Sequence, residues 1–108
     1  MIDTHQPLIE PDRLDYPWLA EAPVLQDTFD LARYRQQGDA LGITGSVFME
    51  VDVAESDQVS EAAHFCNLAS DPTNQILGVV ASGRPESADF NAHLDRIAHP
   101  KLVGIRRL

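Results

Sequence analysis

From Gly45 onward the chain alternates short β-branched apolar runs with longer stretches of helical period. Ser46-Val-Phe-Met-Glu-Val-Asp-Val53 reads as a strand. A helix follows it. Ser56 is its candidate N-cap, Glu55 and Asp57 favour its first turn, and Val59, Ala62, Ala63, Cys66 and Ala69 form one apolar stripe. That helix should stop before Asp71-Pro72, and Gln75-Ile-Leu-Gly-Val-Val-Ala81 then supplies a second apolar strand, broken by Gly83-Arg-Pro85. Ser87 is the candidate cap of the next helix, which buries Phe90, Leu94, Ile97 and Ala98 and cannot continue through Pro100. Lys101-Leu-Val-Gly-Ile-Arg106 is the last strand. Strands alternating with helices predict successive βα units and a parallel sheet.

The stretch before Gly45 is less regular. Ile2 to Gln6 reads as a short opening strand, after which Pro7, Pro11, Pro17 and Pro23 keep the chain extended or turning until about Gln26. This predicts a long βα loop, with Tyr16 and Trp18 either packing over a pocket mouth or anchoring the loop. A helix then runs from near Thr28 through Leu31, Tyr34 and Arg35 toward Gly38. Long loops that follow strands are where α/β folds assemble sites.

With 108 residues, 44% of them hydrophobic, the chain is the length of one ordinary domain. Eight basic against 17 acidic residues give a formal net charge of -9, which disfavours nucleic-acid backbones and anionic membrane surfaces as partners. No apolar run approaches the ~20 residues needed to cross a bilayer and the start has no apolar signal core, so a soluble cytoplasmic protein is expected. Cys66 is the only cysteine, which excludes an internal disulfide and a cysteine-based metal cluster; a buried helix face is its expected place. No Ser-His-Asp order, Walker loop or GxGxxG sequence is present.

Five segments taken in order resemble the amidohydrolase-related metal-dependent hydrolases of the TIM-barrel class, in particular the branch of sugar-lactone and dicarboxylate-lactone hydrolases. They are Ile2-Asp-Thr-His-Gln6, Leu14-Asp-Tyr-Pro-Trp-Leu19, Ser46-Val-Phe-Met-Glu-Val-Asp-Val53, Leu77-Gly-Val-Val80 and His99-Pro-Lys-Leu-Val-Gly-Ile-Arg106. The resemblance implies an α/β fold, with residues 1–108 forming the first part of a (β/α)8 barrel. A complete barrel typically has ~250 residues, so the expectation is a truncated barrel: the first three units and the strand after them. It implies a hydrolase acting on a lactone or related cyclic ester, inactive as this chain alone because the family's later strands bring further histidine and aspartate to the site.

The resemblance also nominates residues. His5 falls on the family's first metal-ligand histidine, and a neutral imidazole suits Zn²⁺ or a similar divalent ion. A single histidine near an N-terminus equally fits a solvated or structural role. Residues 5 and 7 share a strand face, where two histidines would reach one ion, but Pro7 has no donor nitrogen; weak or absent metal binding is therefore expected here. Glu50 and Asp52, two apart at the end of a strand, would share a face and bind substrate hydroxyls or act as acid and base; alternatively Glu50 is solvated and Asp52 caps the strand exit. Arg106, ending the last strand, would clamp a substrate carboxylate or polarise a lactone carbonyl, or form a structural salt bridge. His64 and His93 are expected at the surface, and His99 at a helix C-terminus. A small-molecule substrate is the partner implied. The competing reading is a noncatalytic α/β module that binds a ligand or self-associates through open sheet edges.

Overall fold

Four strands lie side by side in the order in which they occur along the chain, and each neighbouring pair is parallel. They are β1 (Ile2–Gln6), β2 (Gly45–Met49), β3 (Ile76–Ser82) and β4 (Leu102–Arg106), joined through helices α1 (Leu31–Gly38), α2 (Gln58–Ala69) and α3 (Phe90–Ile97). The computed structural model describes residues 1–108. Sequential parallel order without reversal is the arrangement of consecutive units in a (β/α)8 barrel wall, whereas a doubly wound sheet would reverse direction at a switch point. The expected α/β fold of parallel βα units is therefore observed. No helix is long and apolar enough to cross a membrane.

The core forms where α2 lies on the sheet. Phe48 of β2 and Phe65 of α2 are both fully buried, with their rings stacked at 3.8 Å between centroids and 12° between planes. Ile76, Val79, Cys66 and Ala69 pack into the same cluster, so Cys66 is a buried free thiol as expected. The proline-rich loop contributes as much as the helices do. Leu8, Ile9, Leu14, Tyr16 and Leu19 are all buried in that cluster. Pro17 and Pro23 each open a short 3-10 turn, at Pro17–Glu21 and Pro23–Leu25. Reciprocal backbone hydrogen bonds between Ile9 and Phe29, of 3.0 and 2.8 Å, close the loop's base as an antiparallel bridge.

The sheet's other face is not covered. Ile2, Leu77 and Val103 are 50%, 52% and 63% exposed. Gly78 keeps this face tight, because a Cβ there would come within 2.9 Å of the Val103 methyls.

Element boundaries depart from the sequence reading where side chains replace regular backbone bonds. β2 ends at Met49 rather than Val53, because the amides of Val51 and Asp52 donate to carboxylates instead of a neighbouring strand. α2 begins at Gln58 after a 3-10 turn, and Ser56 is not its cap; Asp57 precedes it and accepts the Asp15 amide at 2.8 Å. Its buried face is Gln58, Glu61, Ala62, Phe65, Cys66 and Ala69, with Ala63 outside. α1 starts at Leu31, capped by Asp30, whose side chain accepts the Arg33 amide at 3.0 Å. Ser87 accepts the Asp89 amide at 3.3 Å, one turn ahead of α3, which buries Ile97 and leaves Ala98 exposed.

Phe65→Ala removes half of the stack and leaves a cavity at the centre of the core, so urea denaturation should show a loss of about 3–5 kcal/mol. Val103→Ser on the uncovered face should change stability by less than about 0.5 kcal/mol in the monomer. Equal losses at the two positions would overturn the one-sided core.

Candidate functional site

At the C-terminal end of the sheet, three residues of backbone are held almost wholly by side chains. The Glu50 amide still donates to Val80 at 2.9 Å, the last bond of the sheet. Beyond it the Glu50 carbonyl accepts from Arg106 Nη2 at 2.6 Å and the Val51 amide donates to Glu61 Oε2 at 3.2 Å. The Val51 carbonyl accepts from Trp18 Nε1 at 2.9 Å, and the Asp52 amide donates to Glu50 Oε2 at 2.8 Å. Buried backbone polar groups need partners, and here β4, α2 and the first loop each supply one. Asp52 carries the resulting bend at φ 48°, a left-handed conformation that aspartate tolerates better than most residues.

Glu50 is the hub. Its carboxylate is fully buried and lies 2.5 Å from Arg106 Nε, while the Arg106 side chain is 30% exposed. Because β3 separates β2 from β4, this ion pair bridges two strands that are not neighbours. A guanidinium has five N–H donors and this one spends two on Glu50, so donors remain for an oxygen arriving from solvent. The sequence reading gave Glu50 and Arg106 substrate-binding roles. The structure brings them together, with Glu50 turned inward as the anchor and Arg106 at the rim. Asp52 does not share a strand face with Glu50, because the strand has already ended and its own amide is held by the Glu50 carboxylate.

A second carboxylate lies beneath the pair. Glu61 of α2 is 1% exposed; Oε2 takes the Val51 amide, and Oε1 is buried with no hydrogen-bond partner. Desolvation pushes its pKa up to about 7, the Val51 hydrogen bond and the Arg106 charge pull it down, and the charges of Glu50 and Asp52 push it up again. Tyr16 is pushed up to about 12, first by burial and also by the charges of Glu61, Glu10 and Asp57, against the lowering effect of the Glu10 amide on its hydroxyl. Its ring meets that of Trp18 edge-on, at 6.2 Å between centroids.

His5 lies apart from this network. Gln6 pairs with Phe48 and is buried, whereas His5, within the register irregularity between Asp3 and Gln6, is exposed. Its amide donates to Asp3 Oδ1 at 3.0 Å, and Asp3 Oδ2 accepts the Tyr34 hydroxyl at 2.6 Å. No group of three or more histidine, cysteine, aspartate or glutamate side chains is gathered to hold a metal ion. A catalytic zinc takes three protein ligands, and the residues present do not fit such a centre.

The other histidines are more engaged than the sequence reading expected. His64 is half-buried: its Nε2 is 2.7 Å from Glu10 Oε2 and its ring lies edge-on to Phe65. His93 donates to the Ser82 carbonyl at 2.8 Å, and His99 accepts the Lys101 amide at 3.0 Å. Glu61 was missed altogether, although a signal existed. Gln58, Glu61 and Phe65 follow i, i+3, i+7 spacing, which puts a glutamate on the face of the central phenylalanine.

No family model matches this sequence, and no curated protein does. Among solved structures the chain is similar to Amidohydrolase 2 from Bifidobacterium longum subsp. infantis, with a TM-score of 0.68 and 27% identity. The match covers 98% of this chain and 38% of that one, so the chain spans little more than a third of the length of the solved protein. Residues 1–108 thus correspond in fold and in part of their sequence to a stretch of an amidohydrolase-type protein.

Proposed function

We propose that this chain supplies the N-terminal part of an amidohydrolase-type hydrolytic site acting on a lactone or related cyclic ester. The observation that carries the reading is the Glu50–Arg106 pair at the C-terminal rim of parallel strands, with the guanidinium partly exposed and the carboxylate locked behind it. That rim is where barrel enzymes place their chemistry. The partial match to an amidohydrolase supports the hydrolase class. The substrate class rests on the segments quoted above that resemble the lactone hydrolases.

In such a reaction a water oxygen attacks the ring carbonyl, a base takes the water's proton, and the ring C–O bond breaks to release a hydroxy acid. Arg106 contributes by donating hydrogen bonds to the carbonyl oxygen as it gains charge, or to a carboxylate of the substrate. Glu50 fixes the guanidinium plane, so little orientation is lost on binding. The base and the remaining substrate contacts come from βα units beyond the four strands described here, and this chain by itself turns over little or no substrate. No step is assigned to a metal.

A second reading, a noncatalytic module that self-associates, is favoured by one observation: Ile2, Leu77 and Val103 are exposed on the face of the sheet that the helices leave bare, between open edges at β1 and β4.

Calorimetric titration with an aldonic acid should show weak binding that falls by roughly tenfold or more in Arg106→Lys, since losing a charge-assisted hydrogen bond costs about 1.5–3 kcal/mol. Equal binding by the variant would remove Arg106 from the site, and lactone hydrolysis at rates typical of complete amidohydrolases would overturn the incomplete-site reading. For the metal question, position 7 lies just past the end of β1, and Pro7→His adds a second imidazole two residues from His5; a rise in zinc affinity over the parent chain, read in a competition assay with a chelating dye, is expected where both rings reach one ion. Unchanged affinity would show that positions 5 and 7 do not face a common point. Light scattering across a concentration series separates the second reading: a dimer dissociated by Val103→Glu supports association through the bare face, and a monomer at every concentration excludes it.

A further inference from the structure

Glu61 has no place in the reaction outlined above, yet it sits where a charge change would be felt. Its side chain rises from α2 against the Val51 amide, the N–H end of the same peptide group whose Glu50 carbonyl Arg106 holds. Its neighbours from every side are known: Glu50 and Asp52 at the end of β2, Arg106 from β4 and Tyr16 from the first loop. Arg106 is the only cation among them. With Glu61 neutral, Arg106 faces the ionised Glu50 and Asp52. With Glu61 ionised, a third carboxylate joins them, buried and competing for the same guanidinium.

We propose that Glu61 is the positioning residue of this site: by exchanging a proton at Oε1 while Oε2 keeps the Val51 amide, it sets how tightly residues 50–52 and Arg106 are held together.

Three features of the geometry support the inference. Oε1 is buried and unbonded, so it is the oxygen free to carry the proton. The two peptide groups flanking Val51 are bound at both ends, by Arg106 and Glu61 on one and by Trp18 and Glu50 on the other, so a shift at one anchor is carried to the rest. The backbone at Asp52 is already held in a left-handed conformation, which depends on those anchors. Burial and the adjacent acids raise the Glu61 pKa to about 7, so the exchange falls in the neutral range.

The sign follows directly. A carboxyl whose folded pKa is raised contributes stability that is complete below the unfolded value and is lost as pH rises through the folded one. Ionising Glu61 therefore loosens the segment. At the same time it makes the rim more negative, which weakens capture of an anion by Arg106.

Trp18 provides the readout, because it is the only tryptophan and its indole N–H is bonded to Val51. Its emission should shift with a midpoint near pH 7 in the parent chain and stay flat over the same range in Glu61→Gln. His64 lies on the same helix and bonds Glu10, whose amide holds the Tyr16 hydroxyl, so His64→Gln is the control and should keep the transition. Carboxyl carbon NMR of the parent chain follows Glu61 without a variant. The Glu61 resonance and the Val51 amide should move together with one midpoint, and thermal melts should show this contribution to stability falling as pH rises from the ordinary value of 4.5 to about 7. A transition that survives Glu61→Gln, one that vanishes in His64→Gln, or a Glu61 resonance that titrates at an ordinary carboxylate pH would each overturn the proposal. Its consequence for ligand capture rests on Arg106 being the ligand-facing group. The titration is read on the protein alone, so failure of aldonate binding would remove the functional reading and leave this coupling standing.

Discussion

A carboxyl with no access to water must either take up a proton, as burial favours at Glu61, or keep a cation beside it, and Glu50 imposes the second requirement on the end of this sheet. Removing an ion from water costs several kcal/mol even after relaxation, and the cost is met only when geometry and additional hydrogen bonds are good. Glu50 has both, because Arg106 Nε and the Asp52 amide take its two oxygens while Arg106 Nη2 takes its carbonyl. Both partners are placed by the fold. Arg106 lies at the end of β4 because β3 and β4 pair as far as Ser82 and Arg106. The Asp52 amide points back because the backbone turns left-handed there. The ion pair thereby sets how far β2 can extend and where β4 must end.

The apolar core and this polar cluster are successive layers on one helix. α2 presents Phe65 to Phe48 and, one turn earlier, Glu61 to the backbone just beyond that strand. The face that packs the sheet's middle also carries an acid to its end. The first loop does the same from another direction, burying Leu14, Tyr16 and Leu19 and sending the Trp18 indole to the Val51 carbonyl. Stability and site geometry are thus not separate properties here. Loss of packing around Phe65 would move Glu61, and movement of the loop would release Val51.

The regular part of this fold was legible because parallel strands covered by helices give strong patterns. The apolar runs of β3 and β4 and the spacing of α2 are visible in the residues themselves, and their parallel order follows from strand–helix alternation. Endpoints were harder to read because they depend on distant side chains. The run from Ser46 to Val53 keeps strand-like composition past Met49, and only the carboxylates of Glu50 and Glu61, competing for the next amides, end it. Ser56 and Ser87 looked like caps since serine caps well in general, but Asp57 and Asp89 hold the positions adjoining the helices. Glu50 and Arg106 could be nominated from their places at strand ends. That one is buried and the other partly exposed could not, since burial there depends on α2 and on the register of β4.

The bare face of the sheet and the rim cluster raise the same physical question from two sides. Interior positions of a barrel wall are apolar because facing strands cover them, and Leu77 and Val103 have that character without that cover. Arg106, at the rim, is 30% exposed and spends only two donors, both on Glu50. Any polypeptide that covered Leu77 and Val103 with parallel strands would bring its own strand ends beside Arg106, and packing would then dictate where additional polar groups meet the guanidinium. Under the proposed function, covering that apolar face and bringing further groups to Arg106 would be one event. The apolar residues drive it, and the buried Glu50 holds the guanidinium in the orientation that incoming groups must fit.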